Sequence, residues 1–397
     1  MTLIADSAEL AAFCKRQAKA EYVTVDTEFM RDSTFWPKLC LAQLGGPEES
    51  VAIDTLAPGM DLAPLLDLMK NTKILKVFHS ARQDLEIFFL LMDALPEPIF
   101  DTQIAAMVCG FGDSVGYDKL VRKLTGKRID KSRRFADWSR RPLKQSQIDY
   151  AISDVVHLRP VYEKLRRQLE KRARTAWLDE EMAVLTSPDT YRLEPENAWR
   201  RLKTRSASPR YLAVLRALAA WRESEAQRRD VPRNRVLREE QLFDIAAHHP
   251  SSTEELSHTR GMGRDAARGR IGQAILAALA EGMAVPEADC PVPPPQRDHP
   301  AGLGPLVDLL KVVLKLQCER HDVAQKLVAS VADLEAIAAD DDAEVRTMTG
   351  WRREVFGETA LALKQGRLGL GMVGKDLIMV PLTVPGPGTP AEKASES

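Results

Sequence analysis

The sequence predicts a multidomain protein in which an α/β domain is followed by two small all-α domains. Within residues 1–195, short runs rich in β-branched and aromatic residues alternate with segments of helical periodicity. Residues 205–285 and 303–384 show helical periodicity without such runs. The stretch 286–302 between them is rich in proline, which predicts a semi-rigid linker. Pro, Gly, Ser and charged residues dominate 385–397, so we expect a disordered tail.

The α/β domain is predicted to contain a mixed sheet. Apolar and β-branched runs predict strands at Tyr22–Met30, Lys38–Leu44, Val51–Asp54, Ile74–His79 and Ile99–Asp101. The first three have short connections, which favours an antiparallel meander. Helices are predicted at Asp61–Met69, at Ala81–Met92 and from about Lys144 to Arg172, with a potential kink at Pro160. In such a fold, acids from several elements can meet at one edge of the sheet.

Two carboxylates lie on the first of these predicted strands. Val23–Phe29 reads Val-Thr-Val-Asp-Thr-Glu-Phe and places Asp26 and Glu28 two residues apart. Residues i and i+2 of a strand point to the same face, so the two carboxylates project together while Thr27 points the other way. Two such carboxylates repel each other unless a cation lies between them, and oxygen-only ligands suit Mg²⁺ or Mn²⁺.

Two further motifs add two acids and a phenol. Asp84 follows the strand Ile74–His79 and lies in the first turn of the helix that begins near Ala81. Tyr150 and Asp154 are four residues apart in the last long helix, so they share one helix face. If the fold brings these elements together, four carboxylates and one phenol meet. Such a cluster matches two-metal hydrolysis of a phosphodiester.

Each motif alone has a simpler explanation. An Asp-x-Glu on a strand is weak evidence for a metal site, and a Tyr-x-x-x-Asp on a helix usually belongs to a solvent-facing surface. Asp84 could cap its helix or complement the helix dipole. The occurrence of all three motifs, in order and on suitable elements, favours the two-metal interpretation.

The three motifs and the run Ser132–Asp154 resemble the DEDD exonuclease superfamily in its tyrosine-bearing branch, and within that branch the ribonuclease D family. The resemblance is strong over the first domain and looser beyond it. The sister branch has a histidine five residues before the last aspartate, and that position is Asp149 here. The resemblance implies a ribonuclease H-like fold for the exonuclease domain.

The resemblance also implies a role for each motif residue. Asp26 would bridge two divalent metal ions, Mg²⁺ or Mn²⁺. Glu28 and Asp154 would bind the ion that activates water, and Asp84 would serve the second ion. Tyr150 would hold the nucleophilic water.

The segment Thr125–Leu143 is rich in Arg and Lys, with Phe135 and Trp138 among them, and we expect a loop beside the active site. Cations that bind phosphates and rings that stack on bases suit single-stranded nucleic acid. The expected nucleic-acid contacts are Phe29, His79, Lys131, Arg133, Trp138 and Arg141. Trp138 is equally compatible with a role as the anchor of this loop in the core.

Both helical regions resemble HRDC domains, which implies nucleic-acid binding. In 205–285 the matching features are Trp221, Pro232, a predicted helix from Leu242 to Pro250 and the turn Gly261–Gly263. From Trp199 to Arg238 there are twelve basic and three acidic residues, which favours a phosphate-binding surface at least as much as a solvated helix face. The 303–384 region is more diverged and lacks such a run. We therefore expect it to pack against other domains more than to bind RNA.

Composition and cysteine content set further limits. The chain has 397 residues, a net charge of −1, 44% hydrophobic and 28% charged residues, which is ordinary for a globular protein. No apolar run approaches the ~18 residues that span a bilayer, and the N-terminus lacks a secretion-signal pattern. The five cysteines match no zinc-binding spacing. We therefore expect reduced thiols and a cytoplasmic protein, with no obligate protein partner evident.

The function expected from the resemblance is 3′→5′ exoribonuclease activity. Two divalent metal ions would release 5′-mononucleotides from RNA, with the 3′ ends of precursor tRNA as the expected substrate. A 3′→5′ DNA exonuclease is an alternative, because no motif visibly recognises a 2′-hydroxyl. A non-catalytic nucleic-acid-binding module is a third possibility, against which the intact set of four acids and Tyr150 argues.

Overall fold

A computed structural model describes residues 2–130, 132–203, 208–292 and 302–382. The chain packs into two compact units. The first comprises Met1–Ile99, Asp130–Val156 and Val184–Arg297. The second comprises Phe100–Ile129, His157–Ala183 and Asp298–Ser397. Lys131, the predicted tail at 385–397 and most of the predicted linker lie outside the described residues.

A mixed sheet forms the centre of the exonuclease domain. Its strands are β1 (Thr2–Ile4), β2 (Tyr22–Met30), β3 (Lys38–Gly45), β4 (Ser50–Ile53), β5 (Leu75–Phe78) and β6 (Ile99–Asp101). Their order is β1-β4-β3-β2-β5-β6. The predicted meander of β2, β3 and β4 is confirmed as antiparallel, and β5 runs parallel to β2. β1 lies outside the predicted strands, because three residues are too few to show a periodicity.

The helices of this domain are α1 (Ser7–Gln17), α2 (Ala63–Lys70), α3 (Arg82–Met92), α4 (Thr102–Val108), α5 (Tyr117–Thr125), α6 (Gln145–Lys171) and α7 (Thr175–Leu185). The predicted helices are confirmed as α2, α3 and α6, with small shifts at their ends, and the other helices were not given bounds from the sequence. α6 continues through Pro160. The described residues between α5 and α6 form turns and irregular backbone, as expected for a loop. None of the helices within the described ranges has the length and apolar character needed to cross a membrane.

Helices alone form the region of 208–292. They are α8 (Pro209–Arg229), α9 (Arg233–Val236), α10 (Glu239–His248), α11 (Thr253–Leu256), α12 (Arg264–Arg268) and α13 (Arg270–Ala284). Single 3₁₀ segments lie at Pro188–Thr190, Pro195–Arg201 and Glu287–Asp289. Leu215, Leu242 and Ile275 are fully buried in one core between these helices. A side chain at Gly282 would place its Cβ 2.6 Å from the Cα of Val214, so glycine permits the close approach of α13 to α8.

Several arginines of the basic run are engaged inside this helical domain. Arg222 is only 3% exposed. Arg233 donates two hydrogen bonds of 2.5 Å to the buried carboxylate of Glu223. Arg210 donates to backbone carbonyls at the end of α13. Arg222 is therefore too buried to contact a phosphate, and Arg210 and Arg233 are engaged in contacts that stabilise the domain.

The loop that follows β2 contacts the helical domain. The carboxylate of Asp230 accepts hydrogen bonds of 3.0 Å from the backbone N–H groups of Phe35 and Trp36. The guanidinium of Arg233 lies 4.5 Å from the centroid of the Phe35 ring. Phe35 is 3% exposed and packs with residues of α8 and α9. The helical domain is therefore fixed to residues that lie a few positions beyond β2.

The C-terminal region is helical and ends in a β-hairpin. Its elements are α14 (Gly304–Arg320), α15 (Gln325–Val328), α16 (Val331–Ala339), a 3₁₀ turn (Arg346–Met348), α17 (Gly350–Arg352), a π turn (Arg353–Gly357), α18 (Glu358–Lys364), β7 (Leu368–Val373) and β8 (Asp376–Pro381). The helical character predicted for 303–384 is confirmed up to Lys364, but the all-α prediction is wrong at the hairpin. The two glycines of β7 and its half-buried side chains weaken the strand pattern in the sequence.

Within the second unit, the C-terminal helices pack against α7. The guanidinium of Arg352 is 1% exposed and forms ion pairs with Glu180 and Glu181. The rings of Trp177 and Trp351 stack with centroids 4.2 Å apart. The expected packing of this region against another predicted domain is therefore observed at α7, and the weaker RNA binding expected of it stays a prediction.

Candidate active site

β2 places the first two acids side by side. Asp26 and Glu28 alternate with the buried Thr27, as strand geometry requires. On the neighbouring strand β3, the residues opposite them are Gln43 and Leu41. As whole residues, Asp26 and Glu28 are half-buried, on a strand whose first half is buried.

α6 crosses this face of the sheet and supplies the third acid and the phenol. The hydroxyl of Thr24, two residues before Asp26, donates a hydrogen bond of 2.8 Å to the backbone carbonyl of Val155. A Cβ at Gly45 would lie 3.1 Å from the same carbonyl and 2.4 Å from the Thr24 hydroxyl oxygen. The lack of a side chain at Gly45 therefore lets α6 approach β2 and β3, which sets Asp154 over the strand pair.

Three acids converge as the sequence predicts. Among the described residues, Asp26, Glu28 and Asp154 each offer a carboxylate oxygen, and these oxygens lie within 4.8 Å of one another. Asp154 is 8% exposed. The hydroxyl of Tyr150 is hydrogen-bonded to the Asp154 carboxylate. The i, i+4 spacing of Tyr150 and Asp154 therefore places both side chains on one face of α6, as predicted.

The electrostatics of the cluster are unfavourable without a cation. Burial and repulsion from Asp154 hold the pKa of Asp26 well above its usual value. Burial, followed by repulsion from Asp26, Asp154 and Asp84, raises the pKa of Glu28 to about 10. Burial raises the pKa of Asp154 to about 7, although the Tyr150 hydrogen bond opposes this shift. Burial, followed by the neighbouring acids, raises the pKa of the Tyr150 hydroxyl, so this group is a hydrogen-bond donor at neutral pH.

Asp84 lies close to the other acids but is held separately. It occupies the first turn of α3 and is 8% exposed. Its carboxylate accepts a hydrogen bond of 2.5 Å from the hydroxyl of Thr27. Just beyond β2, Arg31 forms two hydrogen bonds of 2.8 Å with Glu86, two residues after Asp84. This ion pair ties α3 to the end of the strand that carries Glu28.

Two of the expected nucleic-acid contacts are structural residues. Trp138 is 2% exposed, and its ring centroid lies 6.1 Å from that of Tyr150. A buried indole cannot stack on a base, so the anchoring interpretation of Trp138 is the one that the structure supports. Arg141 donates to both carboxylate oxygens of Asp54 and to the carbonyl of Cys40. The guanidinium of Arg141 is therefore occupied by contacts within the protein, and not by a nucleic acid as predicted.

The remaining four residues are still predicted to contact nucleic acid. Phe29 follows Glu28 on β2 and is half-buried, and His79 follows β5 and is half-buried. Arg133 lies in the loop before α6 and is half-buried, with its Nε enclosed and not bonded to any described residue. Lys131 lies outside the described residues.

Sequence patterns did not identify the residues that hold the acids in place. Thr24, Thr27, Arg31 and Glu86 act through contacts between separate elements. Of these four residues, only Thr24 could have been found from the sequence, because it is a polar residue two positions before Asp26 and so lies on the same face of the strand. The others depend on how β2 meets α3, which no local periodicity encodes.

We expect Thr24→Val to impair catalysis more than stability. Valine keeps the shape of the buried side chain but removes the hydroxyl that fixes Val155 beside Asp154. The loss of one such bond costs on the order of 1 kcal/mol of unfolding free energy. A shift of Asp154 should lower kcat by roughly tenfold or more, because a small misplacement of reacting groups is costly.

Steady-state kinetics and thermal unfolding of Thr24→Val test this role. Thr190→Val is the control, since its hydroxyl also donates to a backbone carbonyl, that of Val184, outside the cluster. Equal kcat in the two variants would contradict the role of Thr24 in positioning Asp154.

The donor set fits a hard divalent cation. The converging groups are carboxylates only, which suits Mg²⁺ or Mn²⁺ rather than metals that prefer thiolates or imidazoles. Burial raises the pKa values of Asp26, Glu28 and Asp154, and repulsion between the acids adds to this shift for Asp26 and Glu28; bound cations would offset both effects. Asp84 lies outside this cluster of three but acts electrostatically on Glu28.

Family models match two regions of the chain. One described as "3'-5' exonuclease" matches residues 1–170, and one described as "HRDC domain" matches residues 211–279. Both ranges fall within the predicted domains, whose limits at 195, 205 and 285 remain predictions. The exonuclease range contains the acid cluster and Tyr150.

Relatives match nearly the whole chain. "Ribonuclease D" of Granulibacter bethesdensis is 53% identical over 380 residues, which are 96% of either chain. "Ribonuclease D" of Nitrobacter hamburgensis is 51% identical over 372 residues, 94% of this chain and 97% of that one. The crystal structure of Escherichia coli RNase D, described as an exoribonuclease involved in structured RNA processing, matches with a TM-score of 0.78 and 31% identity over 92% of this chain and 98% of that one.

Identity at this level, over almost the full length, goes beyond a shared fold. It agrees with the order of the three motifs and with the convergence of the acids that they carry. The chain therefore belongs to the ribonuclease D family, whose members are 3′→5′ exoribonucleases that act on RNA with divalent metal ions.

Proposed function

We propose that this exoribonuclease trims the 3′ ends of precursor tRNA with two divalent cations, Mg²⁺ or Mn²⁺, and releases 5′-mononucleotides. The observation that carries the proposal is the convergence of Asp26, Glu28 and Asp154, with Asp84 and Tyr150 beside them. Four carboxylates and a protonated phenol supply the ligands and the donor that hydrolysis of a terminal phosphodiester needs.

The chemistry breaks the bond between phosphorus and the 3′ oxygen of the penultimate nucleotide. The oxygen of a water molecule bonds to phosphorus, and the shortened RNA keeps a 3′-hydroxyl. When bound, two divalent cations lower the pKa of the attacking water and offset the charge on the departing oxygen.

In this proposal, each residue of the cluster has a distinct task. The carboxylates of Asp26, Glu28 and Asp154 would hold the cations, and Asp84 would add a further ligand. Tyr150 orients the attacking water with its hydroxyl. That hydroxyl is hydrogen-bonded to Asp154, and its raised pKa keeps it a hydrogen-bond donor at neutral pH.

The helical domain supports an RNA substrate that combines structure with a free 3′ end. It is fixed through Asp230 to Phe35 and Trp36, directly beyond the strand that carries two of the acids. A nucleic acid held by this domain therefore lies near the cluster. Precursor tRNA has the required features, namely a folded body and a short single-stranded 3′ extension.

An exposed aromatic ring beside the site offers a platform for a base. Phe135 is 86% exposed, and the guanidinium of Arg134 lies 4.3 Å from its ring centroid. The same loop is anchored by Trp138 against Tyr150. Stacking of a base on a ring contributes roughly 1–3 kcal/mol. We therefore expect Phe135→Ala to weaken binding of single-stranded RNA at least about fivefold, with little change in kcat.

Fluorescence anisotropy with a labelled single-stranded RNA measures this effect. Phe135→Tyr should bind like the wild type, because it keeps the ring. Val184→Ala, which shortens another exposed apolar side chain, serves as the control. Unchanged affinity of Phe135→Ala would exclude the platform.

A precursor tRNA with a short 3′ extension, labelled at its 5′ end, tests the proposed function. Wild type and Asp154→Asn are incubated with it in Mg²⁺, in Mn²⁺ and in EDTA, beside a DNA strand of the same 3′ sequence. We expect a ladder that shortens by one nucleotide at a time, only with wild type and a metal, and faster on RNA. Preferential shortening of the DNA would contradict the substrate assignment, and shortening in EDTA would contradict the metal assignment.

We also propose that the protein works in the cytoplasm. All five cysteines are free and buried. Thiols persist in this form in a reducing compartment.

A further inference from the structure

A buried glutamine amide on β3 lacks a hydrogen-bond partner. Gln43 is 0% exposed, and neither its Oε1 nor its Nε2 is bonded to any described residue. Buried polar side chains in native proteins almost always have partners, and each exception calls for an explanation such as a functional role or a ligand. β3 is otherwise almost wholly apolar between Leu39 and Leu44, so a leucine at this position would pack without the cost of an unsatisfied amide.

The register of the sheet places this amide beside the acid cluster. Gln43 lies directly opposite Asp26 in the antiparallel pair of β2 and β3. Side chains of directly opposed residues lie on the same face with their Cβ atoms roughly 4.5–5.5 Å apart. Glu28 lies opposite Leu41, which can form no hydrogen bond with its side chain. Gln43 is therefore the polar neighbour that β3 presents to the acids of β2.

Asp26 is the neighbour of Gln43 that can use its amide as a donor. A carboxyl group that binds a cation does so in its ionised form. An ionised carboxylate is a stronger acceptor than a protonated one and needs donors for the oxygen lone pairs that do not face the cation.

We propose that Gln43 is a positioning residue for the divalent cation bound by Asp26: its Nε2 donates a hydrogen bond to the Asp26 carboxylate when the cation is bound. The inference deepens the proposed function, on which it rests, by assigning a residue that orients one of the cation ligands. Ligating carboxylates are commonly oriented by such hydrogen bonds, and loss of one typically weakens metal binding roughly 10–100-fold. This hydrogen bond gives the buried amide the partner that it lacks among the described residues.

This role and a purely structural one predict opposite effects of the same substitution. If Gln43 positions Asp26, Gln43→Leu removes an unsatisfied amide from the cation-free protein, which should be as stable as wild type or more stable. The affinity for Mn²⁺ should fall roughly 10–100-fold. If Gln43 supports only the fold, the variant should unfold at a lower temperature and bind Mn²⁺ normally.

Two measurements on the full chain without RNA separate these outcomes. Isothermal titration gives the Kd for Mn²⁺, and thermal unfolding in EDTA gives the Tm. Gln43→Met, which keeps the unbranched shape, is measured beside Gln43→Leu. Gln17→Leu is the matched control, because Gln17 is 3% exposed and its Nε2 donates to Glu49, outside the cluster.

We expect both Gln43 variants to have a weaker Kd for Mn²⁺ with Tm in EDTA unchanged or higher, and Gln17→Leu to have a lower Tm with the wild-type Kd. Unchanged Mn²⁺ affinity in the Gln43 variants would overturn the inference. Failure of both variants to fold would also overturn it, since it would show a structural role. Absence of Mn²⁺ binding to wild type would instead contradict the proposed function itself.

Discussion

Asp26→Asn should lower turnover by roughly a thousandfold or more while leaving RNA binding intact. Asparagine has nearly the same shape as aspartate but removes the charge from the centre of the acid cluster. Cations at such sites contribute several kcal/mol of transition-state stabilisation, and each 1.36 kcal/mol corresponds to a tenfold change in rate. RNA binding depends mainly on contacts between basic residues and phosphates, which this substitution does not touch.

Single-turnover cleavage of a 5′-labelled RNA and its binding in EDTA give the two quantities. Asp32→Asn is the control, because the same change is made at an exposed residue two positions beyond β2. If Asp26→Asn retained more than about a tenth of wild-type turnover, the cluster would not be the catalytic site. A parallel loss of RNA affinity would instead show that Asp26 takes part in binding.

The stability of the metal-free protein should fall as the pH rises, and Mg²⁺ should oppose this fall. The folded-state pKa values of Asp154, about 7, and Glu28, about 10, lie above the ordinary values of 3.8 and 4.5 for these side chains. The folded protein therefore holds protons that the unfolded chain releases in this range. The stability associated with this protonation is fully present below about pH 4 and is lost as the pH passes through the folded-state values. The expected loss between pH 5 and 8 is on the order of a few kcal/mol.

Mg²⁺ reverses the trend because it binds the ionised carboxylates, so its stabilising effect grows with pH. Thermal unfolding from pH 5 to 8, in EDTA and in Mg²⁺, measures both effects. Asp154→Asn should be more stable than wild type in EDTA at pH 8 and show a flatter pH dependence. Glu48→Gln, at an exposed carboxylate between β3 and β4, should behave like wild type. A Tm in EDTA that rises steadily from pH 5 to 8 would contradict the raised pKa values of Asp154 and Glu28.

The sequence identified the acids because their spacing is local. Asp26 and Glu28 share a face through the period of a strand, and Tyr150 and Asp154 share one through the period of a helix. The same local patterns predicted β2 to β6 and the long helix α6. Family resemblance then supplied the information that no single motif carries, namely that these elements meet.

Features that depend on contacts between distant elements were not predictable in this way. The burial of Trp138 beside Tyr150 and the pairing of Arg141 with Asp54 follow from the path of the loop before α6. A basic, aromatic-containing segment therefore resembled an RNA-binding loop although two of its residues anchor it. Likewise, the basic run in 199–238 resembled a phosphate-binding surface although one of its residues, Arg233, pairs with the buried Glu223.

Anomalous diffraction from crystals soaked in Mn²⁺ tests the central claim most directly. We predict two Mn²⁺ peaks roughly 3.5–4 Å apart, one bound by Glu28 and Asp154, the other served by Asp84, and both contacted by Asp26. A single peak at this cluster would contradict the two-cation mechanism. No peak there, in crystals of protein that degrades RNA with Mn²⁺, would place the catalytic site elsewhere.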